Sequence, residues 1–326
     1  MPHTKKNQGE VFTRIKELKG SAWETSWLAL DSQNKQVVLT YIDAEKYKTH
    51  YMVTARSEGK TGDEAEKIAD QKTAHRVEEF RARAKKAMAL DFPYIAKTYK
   101  LAYDEERKQD FMVSEYVDGI PIDKAVAGMN AKQIVSLYLN ALDALQHIHD
   151  EGWLHLNIKP RLVVVENRKD GHFLAKLSDP GFLTAKGKTE YKMCGTPSTM
   201  APELIVEHKA DERSDIYSVG VLLYSAFTNN YPPFKRPSVH GGKEKLIRHV
   251  KAEDHPQAPS LQGNVDGITE EVNEVILKML NKNPEERFKS CDAVRKALLK
   301  ACPEAERDVI GAGMTIASGI NSVPEE

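Results

Sequence analysis

The apolar residues of this chain change their spacing near Gly119, and that change limits the folds open to it. Before it, short β-rich runs alternate with turn signals. Residues 11–43 read as short strands, with Val37, Val38, Leu39 and Tyr41 following the turn Asp31-Ser32-Gln33-Asn34. Two further strand-like segments, 96–103 and 111–117, flank the charged turn DEERKQD. Beyond Gly119 helices dominate. Residues 131–150 place Ile134, Leu137, Tyr138, Ala141, Leu142, Leu145 and Ile148 on one face, and 215–227, 270–280 and 290–301 read as further helices. A strand-rich front and a helix-rich back predict an α+β protein. One front segment departs from the strand pattern. Residues 62–90 are helical and highly charged, with Ala65, Ile68, Ala69, Val77, Phe80 and Ala84 as an interrupted stripe. Unbroken, such a helix reaches about 40 Å before Phe92-Pro93 ends it.

Charge and cysteine content narrow the function. The 47 basic and 48 acidic residues leave a net charge of -1 and are well mixed. Nucleic-acid and membrane surfaces call for a field of one sign, so neither is expected as the main partner. Cys194, Cys291 and Cys302 show no metal-ligand spacing and the histidines are scattered, so no metal site is predicted. Free thiols, an N-terminus without an apolar run, and no stretch near the ~18 apolar residues of a membrane span give a cytoplasmic, soluble expectation.

Five segments carry a more specific signal in their order: GWLHLNIKPRLVVV (152–165), KLSDPG (176–181), GTPSTMAPE (195–203), SDIYSVGVLLY (214–224) and NKNPEERF (281–288). From Val11 to about Ala301 this succession resembles a protein Ser/Thr kinase domain. The resemblance implies a two-lobed kinase-like fold, with a β-rich small lobe over about 11–117 and a helical large lobe over about 118–302. Residues 1–10 then form an extension and 303–326, with the apolar stretch VIGAGMTIASGI, a tail.

The positions that build the family's framework are present. The resemblance makes Glu203 and Arg287 a buried ion pair, sets Asp215 to accept hydrogen bonds from the catalytic-loop backbone, and places His155 beneath that loop. Pro160 and Gly181 hold backbone turns.

The positions that carry charge in phosphoryl transfer differ. Asn157 stands where the family has its catalytic Asp, Leu162 where a second magnesium is held, and Thr40 where a lysine meets the α- and β-phosphates. That lysine's glutamate partner falls on Arg83, with Glu78 and Glu79 close enough to compete for the alignment. Leu156 replaces the arginine that docks a phosphorylated activation loop, and Asp179 remains as a metal carboxylate. The family's three loop glycines fall on Lys19, Ser21 and Glu24. Glu24 puts a negative charge beside a polyphosphate, while Lys19 is placed to reach one, with Lys16 and Lys35 as poorer substitutes.

Other positions stay open between two readings. Ser114 precedes the hinge 115–117 and either opens a back pocket or is neutral. Thr189, Tyr191, Thr196 and Thr199 lie where activation segments are phosphorylated, and the 62–90 helix presents either a solvated face or a docking surface. These substitutions lead to the expectation of a catalytically inactive pseudokinase without ATP or magnesium as cofactors. It would act as a scaffold or allosteric regulator that binds a protein partner, such as an active kinase or another signalling enzyme. The alternative is an atypical or weak ATP-dependent phosphotransferase, or a nucleotide sensor, using Asp179 and a relocated lysine such as Lys19.

Overall fold

The computed structural model describes residues 4–7, 10–18, 23–167, 173–193, 195–230, 232–234, 236, 243–252 and 267–306. Lys19, Ser21, Cys194 and the tail beyond Glu306 lie outside the described residues. The chain divides into two compact units, Met1–Asp91 with Ala96–Tyr116 and Phe92–Ile95 with Val117–Glu326.

The first unit is built on a sheet in the order β1-β2-β3-β4-β6-β5. Its strands are β1 (Thr4–Asn7), β2 (Glu10–Leu18), β3 (Glu24–Leu30), β4 (Gln36–Ile42), β5 (Thr98–Asp104) and β6 (Gln109–Glu115). β1 lies within the segment 1–10 set apart by the sequence and pairs antiparallel with β2. Between β3 and β4, Asp31 closes the hairpin, its Oδ1 accepting from Gln33 N at 2.8 Å and Lys35 N at 2.9 Å. Strand alternation then sorts the side chains. One face buries Phe12, Ala29, Val37, Leu39, Tyr41, Phe111 and Val113 as a cluster, with Tyr41 and Phe111 stacked at 4.8 Å. The other face carries Ile42 and Met112, which pack against Phe80 and Ala84 of a long helix.

That long helix is α2 (Gly62–Ala89), close to the bounds expected from the charged segment. Its 28 residues span about 42 Å. Preceding it is α1 (Ala44–Ser57), which the sequence pattern did not predict. Ala55 is its one buried residue, so it carries no apolar stripe to betray helical periodicity. Asp43 caps it, accepting from Lys46 N at 3.0 Å. The two helices pack together, with Lys48 reaching Asp70 at 2.8 Å and Glu66 at 3.2 Å. Trp23, at the start of the β3–β4 hairpin, stacks on Tyr47 of α1 at 4.7 Å.

The second unit is mainly helical. It comprises β7 (Gly119–Pro121), α3 (Ile122–Ala125), α4 (Ala131–Asp150), β8 (Trp153–Leu154), β9 (Val163–Asn167), β10 (Phe173–Leu177) and β11 (Thr184–Ala185). These are followed by α5 (Pro202–Val206), α6 (Glu212–Phe227), α7 (Lys243–Ala252), α8 (Glu270–Met279) and α9 (Cys291–Ala301). All seven apolar residues expected on one face of α4 are buried, and the helix packs on α6 and α9. An N-terminal capping box at Asn130 and Gln133 fixes its start. α6 is buried on nearly every side, from Ser214 to Tyr224, so it forms the centre of this unit. Two small sheets, β10-β9-β7 and β11-β8, frame the loops between α4 and α5. A β-rich first unit and a helical second one are the two lobes of a protein kinase-like α+β fold. Among the described residues, no helix is long and apolar enough to cross a membrane.

Candidate active site

The loop between β8 and β9 is organised from below by one buried carboxylate. Asp215, in the first turn of α6, accepts from His155 N through Oδ2 and from Leu156 N through Oδ1, both at 2.8 Å. Its Oδ2 also receives His149 Nε2 from α4 at 2.9 Å. Burial pushes the Asp215 carboxyl up, but the hydrogen bond from His149 and the backbone donors outweigh it and hold the group below its ordinary value. With Nε2 donating, His149 Nδ1 is free to accept from the Cys291 thiol, 3.8 Å away. Burial raises that thiol well above its ordinary range, so it stays protonated as a donor.

These bonds hold the loop in an unusual backbone state. Leu156 sits at φ 53°, a left-handed conformation that costs a branched side chain about 1–2 kcal/mol. His155 is fixed from both ring nitrogens: Nδ1 accepts from Asn157 N at 3.1 Å and Nε2 donates to Asp179 O at 3.1 Å. That pattern requires a neutral ring, and burial accordingly lowers the His155 pKa. Asp179 Oδ1 in turn accepts from Gly181 N at 2.8 Å. Gly181 has φ 75°, and a Cβ there would lie 2.5 Å from His155 Nδ1, so neither conformation nor space admits another residue.

The substituted positions fall into definite places. Asn157 is half-buried in the loop. Leu162 is buried, with its carbonyl accepting Ser178 N at 2.8 Å and Ser178 Oγ at 3.2 Å. Leu156 joins an apolar cluster with Leu154, Tyr191, Met200, Leu204 and Ile205. Apolar packing therefore occupies the place where the resemblance put an arginine for a phosphorylated loop. Of the four candidate hydroxyl residues, Thr189 is exposed and Thr196 half-buried. Tyr191 is buried, donating to Ala185 O at 3.2 Å, and Thr199 is buried, donating to Ile158 O at 2.7 Å.

The end of the segment is tied to the helical unit by Glu203 of α5 and Arg287, which follows α8. Both guanidinium Nη atoms meet the carboxylate, at 2.9 and 2.8 Å. Ser214 Oγ donates to the same carboxylate at 2.6 Å, and Arg287 also reaches the carbonyls of Asn281, Arg213 and Lys282. Sequence reasoning named the pair but not the contacts of Ser214, His149 and Cys291, whose spacing in the chain does not point to Glu203 or Asp215.

In the first unit, Thr40 on β4 lies opposite Ser26 on β3, with their hydroxyl oxygens 3.1 Å apart. Glu24, two residues along β3 on the same face, pairs with Arg83 of α2 at 2.8 Å. Glu78 and Glu79 pair instead with Arg81 and Arg76 on their own helix, so Arg83 is the residue of the three that α2 turns toward Thr40's face. Ser114 lies opposite Val38 and is half-buried. Lys16 is exposed, and Lys35 is engaged at the hairpin by Tyr99 Oη at 2.7 Å.

A buried helical Asp organising a left-handed loop, an Asp-x-Gly turn held by that loop's histidine, and a buried Glu–Arg tie are the framework of a two-lobed protein kinase fold. Residues 46–299 match the protein kinase domain family, and the chain belongs to it. It is similar to a probable serine/threonine-protein kinase of Streptomyces coelicolor, 29% identical over 261 residues, covering 76% of this chain and 37% of that one. It is 30% identical over 251 residues to the serine/threonine-protein kinase pkn3 of Myxococcus xanthus, covering 74% of this chain and 44% of the relative. With the serine/threonine-protein kinase PknB of Mycobacterium tuberculosis it shares 28% over 232 residues, covering 68% and 35%. The chain thus spans well under half the length of the curated relatives it matches.

These relatives, named as kinases, overturn the expectation of a catalytically inactive scaffold and of a chain that has no use for ATP or magnesium. The physical reason lies in what the substitutions leave standing. Magnesium in such sites is bound through one or two carboxylates together with substrate phosphates. Asp179 would supply one such carboxylate, whereas Leu162 has no ligand atom for a second ion. The residues fit one metal and not the family's full pair.

Proposed function

We propose that this chain is an ATP-dependent protein phosphotransferase of the serine/threonine type, working slowly and with an altered set of charged residues. The observation that carries the reading is the Asp215-centred loop, which fixes His155 and through it the Asp179 carbonyl. The overall reaction breaks the bond between the γ-phosphorus and the β,γ-bridging oxygen and forms a bond to a protein hydroxyl oxygen. ADP leaves, and the hydroxyl proton passes to water. Phosphoryl transfer depends mostly on positioning and charge neutralisation. An amide at Asn157 therefore slows the step by leaving the hydroxyl without its base, but does not abolish positioning.

Asp179 would hold the metal, which supplies charge neutralisation at the phosphates. A cation supplied from elsewhere in the first unit takes the task that Thr40 cannot perform. Tyr191 and Thr199 are buried and Leu156 packs on apolar neighbours, which supports a segment held in place by packing rather than by a phosphate–arginine contact. Balanced charge and free thiols at Cys291 and Cys302 support a soluble, cytoplasmic signalling role with protein substrates.

The test is incubation of the full chain with ATP, magnesium and a generic protein acceptor, read by mass spectrometry. Phosphate on acceptor serine or threonine that disappears in Asp179→Ala supports the proposal. Acceptor phosphate equal in both proteins contradicts it.

A further inference from the structure

The ion pair between Glu24 and Arg83 links a strand and a helix at the face where the family's lysine is missing. Three observations place it there. Strand alternation puts Glu24 and Ser26 on one face of β3, and Ser26 stands directly opposite Thr40 of β4. Glu24 stands opposite Ile42, two residues or about 7 Å along β4 from Thr40. Ile42 packs against Phe80 and Ala84, the α2 residues that flank Arg83 in the helix. The guanidinium of Arg83 therefore lies over the same sheet face as Thr40, held there by a carboxylate at 2.8 Å, with side chains only 12% and 19% exposed.

A carboxylate and a phosphate present oxygens at similar spacing, and a guanidinium forks onto either. A polyphosphate reaching this face meets two things at once: a cation able to bind it and an anion that both repels it and occupies that cation. We infer that Arg83 is the phosphate-binding cation of this chain, supplied from α2 in place of the strand lysine, and that Glu24 is a latch that competes with phosphate for it. This deepens the proposed function and rests on it, because it names the group that receives the nucleotide's phosphates. The exchange is stoichiometric in charge: the Arg83–Glu24 contact opens, Arg83 pairs with phosphate oxygens, and Glu24 turns to solvent or to the helix α1 side, where Trp23 and Tyr47 stack.

Affinities of the full chain for magnesium–ATP and for adenosine, measured by calorimetry, test the latch. Wild type, Glu24→Gln, Arg83→Gln and Arg83→Lys are compared, each first checked for a cooperative melt. A charge-assisted contact corresponds to roughly tenfold in affinity or more. Glu24→Gln is expected to bind ATP about tenfold more tightly and Arg83→Gln about tenfold more weakly, with Arg83→Lys between wild type and Arg83→Gln. Adenosine, lacking phosphates, is expected to bind all four equally. ATP binding by Glu24→Gln where wild type shows none also supports the latch. ATP binding that is the same in wild type, Glu24→Gln and Arg83→Gln overturns the role of Arg83 and leaves the proposed function standing. Loss of ATP and adenosine together in Arg83→Gln also overturns it, since that reports a structural role. Absence of ATP binding in both wild type and Glu24→Gln overturns the inference and the proposed function with it.

Discussion

Arg287 meets Glu203 through both ends of its guanidinium, at 2.9 and 2.8 Å, with the two side chains 0% and 8% exposed. The arginine also lies over the ring of Tyr217, its Cζ 4.8 Å from the centroid, so one face of the charge is covered as well as its edge. Removing one member leaves the other buried without its partner. Glu203→Ala or Arg287→Ala should each lower stability by about 3–5 kcal/mol in urea unfolding. The double substitution should cost less than the two single losses added together, because no lone charge remains. Additive losses would contradict a coupled pair.

His155 and Asp215 set the acid limit of the fold. Both have pKa values lowered in the folded chain. Their contribution is present above the unfolded values and is lost as pH falls. For His155 the loss begins below about pH 6.5, where the unfolded chain takes up a proton that the folded loop refuses. For Asp215 it begins below about pH 4. Stability measured in urea should therefore fall from pH 7 to pH 5, by up to about 1.4 kcal/mol per unit for one proton. His155→Gln should flatten that slope; an unchanged slope would count against the neutral ring. Cys291, raised in the fold, acts at the other end, with stability declining above about pH 9 as the unfolded thiol ionises.

Restoring the family residue at 156 should harm the protein. Leu156 is buried among Leu154, Tyr191, Met200 and Leu204. Leu156→Arg buries a guanidinium with no carboxylate in that cluster and should cost about 3 kcal/mol or more. Leu156→Ala, which only opens a cavity, should cost about 2–5 kcal/mol. If Leu156→Arg is as stable as wild type, the loop is not packed as described.

Gly181 is the narrowest point of the site. Gly181→Ala forces a Cβ to within 2.5 Å of His155 Nδ1 at a φ of 75°. The left-handed backbone alone costs about 1–2 kcal/mol, and the clash must push His155 from the Asp179 carbonyl. Phosphotransfer should drop to the Asp179→Ala level while the circular dichroism of the helices is retained. Undiminished transfer would show that the turn is not needed.

Much of this molecule is legible in its sequence. The α4 face from Ile134 to Ile148 and the charged helix α2 follow from periodicity, α4 through a continuous buried stripe and α2 through an interrupted one that buries Ala65, Ala69, Phe80 and Ala84. The Glu203–Arg287 tie and the Asp215 loop came through motif order. What escaped was set by contacts without sequence period. α1 buries little beyond Ala55 and holds its place through Tyr47 on Trp23. His149 finds Asp215 across 66 residues of chain. Glu24 was legible as a charge hostile to phosphate, yet its partner on α2 emerged only when strand register and helix face were both fixed. The residue types at Thr40, Asn157 and Leu162 also suggested inactivity more strongly than the relatives allow, because identity at a position does not reveal which neighbour takes over its charge.

The most direct measurement is the initial rate at which the purified full chain transfers label from γ-radioactive ATP to casein, run beside Asp179→Ala at equal concentration. A slow, enzyme-proportional rate with label on serine and threonine, absent from Asp179→Ala, is the result expected. Identical background from both proteins at saturating nucleotide would contradict the account.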